Sequence, residues 1–64
     1  MPYTKKSMEY FTKILGRKRA KQIGQETFNK EVAAGATREE ALKRAALEVS
    51  NKALSVSMFG RENP

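Results

Sequence analysis

Apolar residues recur along this chain at helical spacing, and the pattern breaks at glycines. Between Ala20 and Lys52 the stretch AKQIGQETFNKEVAAGATREEALKRAALEVSNK reads as two amphipathic helices joined by a turn at Gly35. Gly35 follows an apolar helical run and accepts the left-handed conformation that ends a helix without a Cβ clash. Thr37-Arg38-Glu39-Glu40 then forms a capping box, in which the threonine oxygen takes the Glu40 amide and the Glu40 carboxylate reaches back to the Thr37 amide. Glu39/Lys43, Glu40/Arg44, Glu48/Lys52 and Glu26/Lys30 each stand four apart with the acid first, the order that supports a helix.

Projected at about 100° per residue, Ala41, Leu42, Ala45, Ala46, Val49, Ala53 and Val56 share one face, which is the expected core side of the last helix. Its alanines let a neighbouring helix approach closely. Leu47, Leu54 and Met58 fall nearly opposite. Two accounts of that ridge are open: the first helix or the C-terminal tail folds over it, or it forms a homodimer seam or partner groove.

Upstream, Thr4 or Ser7 caps a first helix in which Met8, Phe11 and Leu15 make one face, with Tyr10 and Ile14 alongside. Gly16 ends it. The next helix carries Ala20, Ile23, Gly24, Thr27, Phe28, Val32 and Ala34 on a broad face, with Phe28 as its bulkiest anchor. Gly24 inside that helix either permits a close crossing or loosens a bend, and the crossing is the favoured reading. The sequence thus predicts an all-α, compact three-helix bundle with a central helical hairpin. Its helices are expected at 7–15, 18–34 and 38–58 of a single domain spanning 1–64, with polar and disordered ends at 1–6 and 61–64.

Length changes the picture in one respect. Sixty-four residues lie near the lower limit for a self-sufficient core, and the absence of cysteine and histidine removes disulfides and the usual structural zinc site. Self-association is the remaining common device, which predicts a homodimer through Leu47, Leu54 and Met58. No run has the length or hydropathy of a signal peptide or membrane span, and the expected location is cytoplasmic.

Charge adds a direction. Residues 1–24 hold Lys5, Lys6, Lys13, Arg17, Lys18, Arg19 and Lys21 against Glu9 alone, whereas residues 25–64 carry six basic and six acidic side chains. The whole net charge of +6 therefore sits in the N-terminal third. Lys13, Arg17, Lys18, Arg19 and Lys21 flank the start of the second helix, where the macrodipole is already positive and a partner anion would be welcome. Three readings of this segment stand side by side: a solvated basic turn, a nucleic-acid backbone contact, or a contact with an acidic protein or membrane surface.

Catalytic chemistry is poorly supplied. Without histidine or cysteine the chain lacks the common general base, thiolate nucleophile and transition-metal ligands, and it has neither a calcium loop nor a glycine-rich phosphate loop. We expect no enzyme activity, no small-molecule substrate, no metal and no cofactor. A helix-turn-helix DNA reader also fits badly. With Gly35 as the turn glycine, the small buried position four earlier is Glu31; with Gly24, Ala20 fits but Gln25 and Lys30 occupy apolar positions.

The hairpin residues Ala20-Lys21-Gln22-Ile23-Gly24-Gln25-Glu26-Thr27-Phe28-Asn29, followed by Thr37-Arg38-Glu39-Glu40 with Ala45 and Ala46 behind, resemble the ChaB family of small helical proteins. The opening Met1-Pro2-Tyr3 with Thr4, Lys5, Lys6 and Ser7 is similar to the start of bacterial members. The chain departs from that family in Leu15-Gly16 where a Leu-Pro is usual, in Leu47 at the tryptophan position, and in a shorter turn. The resemblance implies an all-α, non-enzymatic regulator of the kind linked to cation transport, with phage and viral relatives.

The expected function is a small basic regulatory protein that contacts nucleic-acid backbone or another polyanion through its N-terminal third. The alternative is a regulator or inhibitor acting by protein contact, either a ChaB-like accessory protein or a phage-type host modulator.

Overall fold

A computed structural model describes residues 4–62. Three helices pack against one another, α1 over Lys5–Leu15, α2 over Arg17–Ala33 and α3 over Arg38–Phe59. The α2–α3 pair makes the largest interface and α1 leans mainly on α3. The longest extent of the molecule, 33 Å, matches the length of the 22-residue α3.

Each boundary has a local cause. The Thr4 side chain accepts from the Ser7 amide at 3.1 Å, so α1 begins at Lys5 and Thr4–Lys6 are ordered rather than a loose lead-in. Residues 1–3 and 63–64, also expected to be loose, lie outside the described residues. At the end of α2 the Ala36 amide donates to the Glu31 carbonyl and the Gly35 amide to that of Val32, both at 3.0 Å, with Gly35 at φ 100°. That is the Schellman pattern, and it closes α2 one residue before the expected end. The capping box at α3 forms as the sequence predicts: the Glu40 amide donates to Thr37 Oγ1 and the Thr37 amide to Glu40 Oε1, each at 3.2 Å. The Thr37 hydroxyl, which also donates to Glu40 Oε1 at 2.9 Å, and then the Thr37 amide hold the Glu40 carboxyl below the usual carboxylate range. Arg44 does not pair with Glu40. It reaches across to Glu31 on α2 at 3.5 Å, tying the two helices together.

The core centres on Ala20, Ile23 and Val49, with Met8, Phe11 and Leu15 of α1 packed against them. On α3, Ala41, Ala45, Val49 and Ala53 are buried as the periodicity predicts, while Leu42 is 51% exposed. Leu42 lines a side groove with Gly24, Gln25 and Phe28 at the flank of α2, outside the helix contact. Phe28 is only half-buried and Val32 is exposed, so Ile23 rather than Phe28 anchors α2. Ser50 and Ser55 take buried places that the hydrophobic pattern does not mark. Each satisfies its hydroxyl on a backbone carbonyl, Ser50 on Ala46 at 2.9 Å and Ser55 on Arg61 at 2.8 Å. No large side chain is fully buried among the described residues, which leaves this a light core.

Candidate polyanion interface

Gly16 is the residue on which the basic segment turns. Its amide closes α1 on the Thr12 carbonyl at 2.8 Å, and its own carbonyl accepts from Ala20 to open α2 at 3.0 Å. The required φ of 88° with ψ of 145° is a conformation that only glycine adopts without strain. One residue therefore joins two helices, and Lys13 in the last turn of α1 comes close along the chain to Arg17, Lys18 and Arg19 in the first turn of α2.

Gly16 supplies no side-chain cap to α2, and that helix has no acidic residue in its first turn. The first amides of any helix lack intrahelical partners, so this end combines uncapped N–H groups with a run of cations. Lys13, Arg17, Lys18 and Lys21 are exposed. Their arrangement suits an extended row of phosphates better than a single enclosed ligand.

Arg19 differs from its neighbours. Its Nε donates to Glu62 at 2.8 Å and an Nη to the other Glu62 oxygen at 2.6 Å, a two-pronged contact, while its remaining Nη donates to Gln22 at 2.8 Å. The chain reaches this point because α3 ends at Gly60 in the left-handed conformation, φ 74°, and turns back toward α2. The hydrogen bond from Arg19 holds the Glu62 carboxyl below its usual range, opposed by partial burial and helped by the charges of Arg19 and Lys52. The same hydrogen bond raises Arg19, again against partial burial. The sequence groups Arg19 with the polyanion-binding cations Lys13, Arg17, Lys18 and Lys21 and predicts residues 61–64 as a disordered polar end. The structure instead pairs Arg19 with Glu62, and the tail is ordered through that residue. Gly60 is readable in the sequence as a helix terminator, but nothing local names Arg19 as the partner of Glu62.

The apolar ridge divides. Leu47 is half-buried and lines the α2–α3 groove with Ile23, Thr27 and Arg44, whereas Leu54 is 45% and Met58 72% exposed. Neither α1 nor the tail covers Leu54 and Met58, since the tail goes to Arg19 instead. Phe59 and Tyr10 are further exposed apolar groups that the sequence reading did not place at the surface.

The groove between α2 and α3 mixes signs, with Arg19, Lys30, Arg44 and Lys52 facing Glu26, Glu31 and Glu48. Such a balanced lining does not favour an anion over a cation. Among the described residues no group of three acidic, histidine or cysteine side chains is placed to hold a metal ion, and no helix is long and apolar enough to cross a membrane. The chain matches no protein-family model, no curated protein and no solved structure.

Proposed function

We propose that this protein is a small, basic, non-enzymatic binding module that grips nucleic-acid backbone at the α1–α2 elbow. The observation that carries the reading is the exposure of Lys13, Arg17, Lys18 and Lys21 around an uncapped helix N-terminus that has no carboxylate in its first turn. Phosphate contacts of this kind need charge and amide donors rather than a base-reading helix, and α3, the longest helix, is nearly neutral, with four basic and three acidic side chains.

The test is anisotropy of a labelled mixed-sequence DNA duplex titrated with protein over a salt series. Binding should weaken linearly on a log–log plot, and the Arg17→Glu/Lys18→Glu double variant should flatten the slope by about 1.8, about 0.9 for each phosphate released. Absence of binding at low salt, or a double variant with wild-type affinity and slope, would overturn the reading.

Exposed Leu54 and Met58 support a second reading, in which the chain self-associates as a homodimer or meets a protein partner through that ridge. A regulator resembling the ChaB family would act in this way, with the basic end speeding encounter. The two readings are compatible, because the ridge and the elbow use different residues.

A further inference from the structure

We propose that Arg19 is a phosphate site held shut by the chain's own Glu62, so that the C-terminal turn limits how tightly a polyanion is gripped at the elbow. The inference rests on the polyanion reading above and concerns the regulation of that same surface.

The geometry of the contact is what a phosphate would demand. A guanidinium presents its Nε and an Nη as a planar fork, and a carboxylate and a phosphodiester both offer that fork two oxygens. Glu62 fills it at 2.8 and 2.6 Å from 43 residues away in sequence. Arg19 lies in the first turn of α2, where the helix amides add to the attraction for any anion. An acid delivered by the tail thus stands where a backbone phosphate would stand, on the same element as the exposed Arg17 and Lys18.

The latch is built to open. The side chains remain 39% and 27% exposed, so water and salt screen the pair, and strong electrostatic closure is not expected from it. The tail is further fixed by the Gly60 turn and by the Ser55 hydroxyl donating to the Arg61 carbonyl, a neutral bond. A run of phosphates laid along Lys13, Arg17 and Lys18 brings a high local concentration of anion to Arg19, which one carboxylate must then resist.

A purely structural ion pair would stabilise the tail and leave binding alone, so the experiment separates those roles. Glu62→Gln removes the competing charge, and Glu39→Gln is its control, since it makes the same change in net charge at the far end of the hairpin on a side chain that is 84% exposed. Circular dichroism establishes that both variants are folded. In the duplex titration at low salt, Glu62→Gln should bind about 3- to 10-fold more tightly than wild type and steepen the salt slope by about 0.9, one additional phosphate. Glu39→Gln should change affinity by less than about 2-fold. Adding Arg19→Gln to Glu62→Gln should erase the gain. A Glu62→Gln variant no tighter than Glu39→Gln, or a gain that survives loss of Arg19, would overturn the latch while leaving backbone binding in place. Failure of both wild type and Glu62→Gln to bind at low salt would overturn the two together.

Discussion

Replacing Gly24 by alanine should stabilise this protein, and the structure allows the size of the effect to be worked out. Gly24 lies inside α2 at a half-buried position, and its φ is not positive. A methyl group built there would meet Val49 Cγ2 at 3.9 Å, an ordinary van der Waals distance, with nothing nearer outside the helix's own backbone. The α2–α3 crossing therefore does not need a missing side chain at this point. Alanine removes the helix-interior penalty of glycine, about 0.8–1.0 kcal/mol. Half-burying one methyl adds about 0.4 kcal/mol, taking roughly half the value for a buried methylene. The sum is about 1.3 kcal/mol. For a domain of this size that corresponds to a rise in Tm of about 5–10 °C. Thermal unfolding followed by circular dichroism measures it directly, at fixed protein concentration so that self-association does not shift the midpoint. Gly16→Ala is the contrasting variant, because its φ of 88° forces any side chain into strain and its Tm should fall. A loss of stability in Gly24→Ala would refute the reasoning, since it would mean that α2 and α3 approach closely enough to exclude a methyl.

The remaining predictions concern the cap and the ridge. Thr37→Ala should cost about 1 kcal/mol in urea unfolding at neutral pH by removing the acceptor for the Glu40 amide. Because the Glu40 carboxyl is held below its ordinary value, its contribution is complete above the unfolded-state pKa and is lost as pH falls through the folded one. The stability deficit of Glu40→Ala should therefore narrow in acid, and a deficit unchanged with pH would contradict the carboxylate's role. On the homodimer reading, Leu54→Glu should shift the mass in sedimentation equilibrium to that of a single chain without changing helicity, since Leu54 is 45% exposed; an unaltered mass distribution would remove the ridge as a seam.

Helix existence and order were legible because glycine, threonine and the alanine periodicity act locally. Thr37 with Glu40, Gly16 and Gly35 each fix a terminus through bonds to residues within one or two turns, and such signals survive without knowledge of the fold. Burial was legible only in part. The periodicity picked out Ala41, Ala45, Val49 and Ala53, but a helical wheel cannot say how wide the covering neighbour is, so Leu42 was assigned to a core whose edge it lies beyond. Ser50 and Ser55 were missed for a related reason: a hydroxyl that bonds a backbone carbonyl enters the interior at little cost, yet it counts as polar in any pattern. At the site, the cations were visible as a charge asymmetry along the chain. Glu62 was not, because its role depends on where the chain turns after Gly60, a tertiary fact with no local signature of its partner.

The single-residue junction at Gly16 gives the molecule a lever. α1 buries no residue completely, and its 11 residues extend about 16 Å from the pivot. That arm is seated rather than free, because Met8, Phe11 and Leu15 pack against Ala20, Ile23 and Val49, so the contacts that make the core also set how far Lys5 and Lys6 stand from the cations of α2.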